Sequence, residues 1–150
     1  MKRSWQVAVR GLVCGAWFTL AGVAGCGTTN HEQGRSWTIS GAPKMDAAVG
    51  TVRVHVDDDA NRVVDLVFQQ LRPANQAFAG TSMYVIWLVP KGGTARSVGI
   101  IDVNDQRGAR LTITTPYEDF DVVVTAEVPG NPPEPSANRA FVATIDASVS

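Results

Sequence analysis

Few side chains in this 150-residue sequence are of the types that do chemistry. There are two cysteines, Cys14 and Cys26, and two histidines, His31 and His55. Carboxylates cluster twice, at Asp57-Asp58-Asp59 and at Glu118, Asp119 and Asp121. Clustered carboxylates are hard oxygen ligands, so the first run could take a calcium ion. It lacks the EF-hand pattern, with Arg62 where the sixth-position glycine belongs and Phe68 where the twelfth-position glutamate belongs. Followed by Ala60-Asn61, it reads first as a solvated turn. The second cluster would suit glycoside hydrolysis only if two carboxylates faced each other about 5–10 Å apart, which nothing in the spacing shows. Two histidines without a shared motif make a poor metal site. No serine lies in a G-x-S-x-G elbow, and no glycine-rich phosphate loop is present. The expectation is a protein that is not an enzyme and has no resident metal.

The cysteines point to a different chemistry. Lys2, Arg3 and Arg10 give a basic start, with no acid before Glu32. An apolar stretch, Gly11 to Val23, follows. It is too short to span a bilayer core of about 30 Å as a permanent helix and suits the h-region of a secretory signal. It ends in Val23-Ala24-Gly25-Cys26, where small residues let a peptidase approach the backbone closely. This leader resembles the lipobox leader of bacterial lipoproteins. The resemblance implies cleavage before Cys26 and a diacylglyceryl group on its sulfur, with no other cofactor. Two acyl chains give stable membrane attachment where one is marginal. Cys14 would leave with the leader and Cys26 would be blocked, which removes disulfides and thiolate chemistry from the mature domain. Loss of the three basic residues also takes the formal net charge from −1 to −4. That balance leaves no basic footprint for nucleic acid. Gly27, standing where an aspartate would retain an enteric lipoprotein, implies the outer membrane if the organism has one.

Whatever these groups do, a scaffold must hold them. Residues 27–43 are rich in Gly, Ser, Thr and Asn, and such a stretch buries too little apolar area to offset its ordering entropy. It reads as a flexible tether, in which Trp37-Thr38-Ile39 is either a short edge strand or a docking point. Beyond it the chain is strand-like throughout. Residues 51–56 alternate with period two, as do 62–71, where Val64, Leu66 and Phe68 share a face. Met83 to Val89 is apolar on both faces, the pattern of a central strand. Further strands are expected over 97–103, 109–115, 120–128 and 139–149, separated by turns rich in Gly, Asn, Asp and Pro. Short turns between such strands cannot make parallel crossovers. The expectation is therefore all-β: an antiparallel Ig-like β-sandwich of about seven strands, with a small barrel as the alternative. The domain division is 1–25 signal peptide, 26–45 lipidated cysteine and tether, and 46–150 sandwich. Trp87 is expected as the core anchor, with Phe68, Ile86, Leu88, Ile113 and Val124 around it. Tyr84 reads equally as core or as an exposed stacking ring. Asp121, Thr125 and Glu127 fall on one face as an outward polar stripe, and His55 falls on the solvent-facing side of its strand.

A second resemblance lies in the strands. Tyr84-Val85-Ile86-Trp87-Leu88-Val89 is followed by Lys91-Gly92-Gly93 and then Ser97-Val98-Gly99. Later come Phe120, Val122-Val123-Val124-Thr125-Ala126-Glu127 and Pro132-Pro133-Glu134-Pro135. Over roughly 83–142 this resembles the extracytoplasmic C-terminal domain of anti-sigma-K-type factors. The resemblance implies a β-sandwich on the outer side of a membrane. Sigma-factor binding in that family belongs to a separate cytoplasmic helical segment joined through a transmembrane helix. The matching residues here carry fold and compartment, and not that activity.

Two functional classes follow. The first is a non-catalytic, lipid-anchored cell-envelope module that binds another envelope protein or senses an envelope component. Its contact surface is expected at the loop Asn131, Pro132, Pro133, Glu134 and Pro135, whose prolines lower the ordering cost of binding. The alternative is a small-ligand or carbohydrate-binding domain with a calcium ion at the acidic turn.

Overall fold

The computed structural model describes residues 34–101, 103 and 106–148; the leader, the lipobox residues Val23, Ala24 and Gly25, and Cys26 lie outside them. Eight strands form within the described residues: β1 (Arg35–Ser40), β2 (Val49–Val56), β3 (Arg62–Gln69), β4 (Met83–Pro90), β5 (Arg96–Ile101), β6 (Ala109–Thr115), β7 (Asp119–Glu127) and β8 (Arg139–Asp146). The only helical pieces among them are a single 3₁₀ turn at Pro43–Met45 and a one-turn helix, α1 (Ala74–Ala77). One sheet has the order β1-β2-β3-β6 and the other β5-β4-β7-β8, with every pairing antiparallel. The two sheets pack face to face as a β-sandwich. β2 to β8 are the seven strands that the period-two pattern and turn signals anticipate.

β1 is the additional strand, and it falls in the stretch that reads as tether. Trp37-Thr38-Ile39 takes the edge-strand option, pairing Trp37 with Val52 and Ile39 with Gly50. Gly50 permits this. A Cβ there would lie 2.7 Å from Ile39 Cγ1 and 3.1 Å from a Phe68 ring carbon. Backbone contacts then tie β1 to the second sheet, because the Ala42 N–H donates to the Ala140 carbonyl at 2.8 Å. At the opposite edge of the sandwich β5 closes on β6, where a Cβ on Gly99 would stand 2.6 Å from Leu111 Cδ2.

The main core lies between the sheets. Val52 and Val54 of β2, and Val64, Leu66 and Phe68 of β3, face Tyr84, Ile86 and Leu88 of β4 and Val122 and Val124 of β7. The Phe68 and Phe141 rings meet across it at 5.0 Å between centroids, tilted by 48°. Leu111 and Ile113 pack partly buried against the same core.

Trp87 is the correction. It is 1% exposed, yet it is not in this core. Alternation along β4 sends Tyr84, Ile86 and Leu88 inward, and therefore sends Val85 and Trp87 to the outer side of the sheet. There they form a second cluster with Val123, flanked by Met83, Val89 and Ala95. The residues expected around Trp87, namely Phe68, Ile86, Leu88 and Val124, are all in the inter-sheet core. A strand that is apolar on both sides carries no period-two signal to say which face is inward, and the largest side chain took the outer one.

Candidate functional site

The Pro-rich loop follows β7 and returns to β8. Asn131, Pro133 and Glu134 are exposed, and Pro132 and Pro135 are half-buried. Its stem is fixed by a carboxylate. Glu127, 5% exposed, accepts the Ser136 backbone N–H at 2.9 Å and the Thr125 hydroxyl at 2.5 Å through Oε1. Thr125 Oγ1 in turn accepts the Trp87 indole N–H at 2.7 Å. Ser136 Oγ adds a bond to the Ala126 carbonyl and accepts the Asn138 N–H. A buried carboxylate is costly unless it accepts hydrogen bonds; here neutral donors from β7 and from the loop both reach Oε1. The chain Trp87–Thr125–Glu127–Ser136 thus joins the outer cluster of the second sheet to the loop. Thr125 and Glu127 do share a face with Asp121, as expected. The two are buried, so the solvent-facing stripe ends at Asp121, which is only half-exposed. Sequence spacing places Thr125 and Glu127 side by side, but the cross-strand register that brings Trp87 beside Thr125 is not contained in it.

The acidic residues separate into three roles. Asp57 builds its own turn: Oδ1 accepts the N–H groups of Asp59 at 3.0 Å and Asn61 at 2.8 Å, and Ala60 sits at φ 63° to close the reversal. Side-chain-to-backbone bonds of this kind are why aspartate favours turns. Glu118 reaches across to β3, where Oε1 meets Arg62 Nη2 at 2.6 Å. Asp119 and Asp121 instead line a cleft of about 440 Å³ with Lys91, Thr144 and Asp146, beside the Pro90–Gly93 turn. Asp119 lies opposite Asp146 on β8, and its Oδ2 is 3.6 Å from Lys91 Nζ. The Ser148 hydroxyl, then the Ser148 backbone N–H, holds the Asp146 carboxyl below its usual range. Among the described residues no group of three or more His, Cys, Asp or Glu is placed to hold a metal ion.

The remaining candidates take structural positions. Tyr84 is fully buried, which decides its reading for core; its hydroxyl donates to the Arg72 carbonyl at 2.8 Å and contacts Met45 Sδ at 3.5 Å. Burial pushes its pKa up to about 12. His55 is half-buried on β2, on the side away from core-facing Val54. His31 lies outside the described residues.

Against known proteins, no family model, no curated protein and no solved structure matches the chain. Among the described residues no helix is long and apolar enough to cross a membrane.

Proposed function

We propose that this chain is a non-catalytic, lipid-anchored cell-envelope lipoprotein whose β-sandwich serves as an interaction or sensing module. The observation that carries the reading is the loop at Asn131–Pro135: an exposed tip on a stem held by buried Glu127. A surface ordered before its partner arrives loses less entropy on binding. The leader supplies the anchor, with diacylglycerol on Cys26 and the domain on the outer side of the cytoplasmic membrane. The resemblance to the outer domain of anti-sigma-K-type factors agrees with that compartment. An Ig-like reading of the sandwich is supported by strand adjacency. The run β5-β4-β7-β8 opposite β2-β3-β6 matches the C′-C-F-G and A-B-E neighbours of such folds.

Cross-linking of the full-length protein in native membranes, read by mass spectrometry beside a Cys26→Ala version, tests the proposal. One dominant envelope partner, lost with Cys26→Ala, is the expected result. Replacing Pro132, Pro133 and Pro135 together with alanine should leave the melting temperature within a few degrees and abolish the partner. Unchanged capture with a lowered melting temperature would reassign the loop to stability. A small-ligand or carbohydrate-binding role is the second reading, favoured by the 440 Å³ cleft with its hydrogen-bonding wall of Asp119, Asp121 and Thr144. Membrane-bound protein that captures no partner would move the assignment there. For that reading with calcium at the acidic turn, the ion should raise the melting temperature.

A further inference from the structure

The strands run along a common axis, so the connections fall at two ends of the sandwich. Register places the start of β1 at the same end as the Asp57–Asn61 turn, the Pro90–Gly93 turn, the start of β7 and the end of β8. The Pro-rich loop and α1 are at the other end, beyond the end of β7 and the start of β4. The point where the chain enters the domain is fixed. β1 pairs with β2 from Arg35 to Ser40, and Arg35 Nη1 donates to the Asp146 carbonyl at 2.9 Å. This end carries Asp57, Asp58, Asp59, Glu118, Asp119 and Asp146 against Arg35, Arg62, Lys91 and Arg96, a formal excess of two acids. Two of its cations are already engaged, Arg62 with Glu118 and Lys91 with Asp119.

We propose that the anchored protein stands end-on, with this acidic end facing the lipid surface and the Pro-rich loop directed away from it. The inference rests on the lipoprotein reading. Gly34 lies eight residues after Cys26. Fully extended, those residues reach no more than about 29 Å. An eight-residue strand is itself about 26 Å long. Inverting the domain would lift the entry point a full strand length from the lipid and draw the tether nearly taut, at the cost of its conformational freedom. Tether length therefore favours this end as the near one. Charge decides that this end does not adhere: carboxylates within a Debye length, about 8 Å at physiological salt, are repelled by anionic headgroups.

The mature chain retains no cysteine but the lipidated one, which makes the test direct. Asp58→Cys or Lys91→Cys at the near end, and Asn131→Cys at the far end, would each carry a donor dye on the mature, lipidated protein. Energy transfer is then measured to acceptor-labelled lipid in phosphatidylglycerol-containing vesicles. Near-end donors should be quenched at least about twofold more than the Asn131 donor, because the ends are about 26 Å apart. Near-end transfer should rise when salt is added or when Asp57, Asp58 and Asp59 are replaced together by asparagine in the Lys91→Cys protein. Equal transfer from both ends in vesicle-bound protein, or stronger transfer from Asn131, would overturn the end-on arrangement while leaving the anchor intact. Failure of every variant to bind vesicles would overturn the anchor and the arrangement together.

Discussion

The two outer faces of the sandwich are built on opposite plans. On the first sheet the outward residues are mostly polar, among them Ser36, Thr38, Thr51, Arg53, His55, Asp65, Arg110, Thr112 and Thr114, with half-buried Val63 and Val67 between them. Register sets Ser36, Arg53, Asp65 and Thr112 side by side, and Thr112 donates to Asp65 at 2.6 Å. On the second sheet the outward residues include Val85, Trp87 and Val123, buried as a cluster of their own, and the buried pair Thr125 and Glu127. The first face is a solvated surface. The second carries a small additional cluster flanked by Met83, Val89 and Ala95, beside the buried Thr125 and Glu127 that hold the loop stem.

Substitutions on the two faces should differ most at Trp87. Trp87→Ala is expected to cost ~3–5 kcal/mol, as much as a residue of the inter-sheet core, whereas Thr112→Ala on the first sheet should stay within about 0.5 kcal/mol. Urea titration of both variants measures the difference, and similar small losses would erase the distinction between the faces. Glu127→Ala should come next, at ~1–3 kcal/mol, because it leaves the Ser136 N–H and the Thr125 hydroxyl without their acceptor. Hydrogen exchange at residues 131–138 should accelerate in that variant while β2 and β3 stay protected.

Two pH effects are smaller. Tyr84 has its folded pKa raised to about 12, from 10.0. Its contribution to stability is then fully present below pH 10 and is lost as the pH rises from 10 towards 12. Tyr84→Phe should remove that alkaline slope, as read by melting temperature against pH, and at neutral pH it should cost ~1 kcal/mol for the hydrogen bond to the Arg72 carbonyl. Asp146 has its folded pKa lowered, so its contribution is present above the usual carboxylate value of 3.8 and fades as the pH falls below it. Asp146 is exposed, and Asp146→Asn should flatten the acid limb of the same titration only slightly.

The contrast between the faces also explains what could be read in advance. β2 and β6 alternate because one side meets solvent, and in β3 the polar Asp65 and Gln69 opposite Val64, Leu66 and Phe68 mark the inward side despite Val63 and Val67. β4 and β7 are legible as strands buried on both sides, but not in direction, so composition alone does not tell that Trp87 faces outward. β1 was ambiguous because Arg35–Ser40 contains only two large apolar residues, and its stability comes from the pairing partner and from Gly50 rather than from its own composition. The exposed tip of the Pro-rich loop was visible in its prolines. Its anchoring by Glu127 was not, since that bond joins residues brought together by the fold-back of the chain after β7.

The first strand has a mechanical consequence. A pull on the chain at Gly34, opposed by a load at the far-end loops, acts along the axis of β1. The hydrogen bonds between β1 and β2, from Arg35–Val54 to Ser40–Val49, then share the force side by side in shear rather than opening one after another. Rupture requires all of them to yield together, so the weakest strand by composition is placed where geometry gives it the greatest resistance to tension.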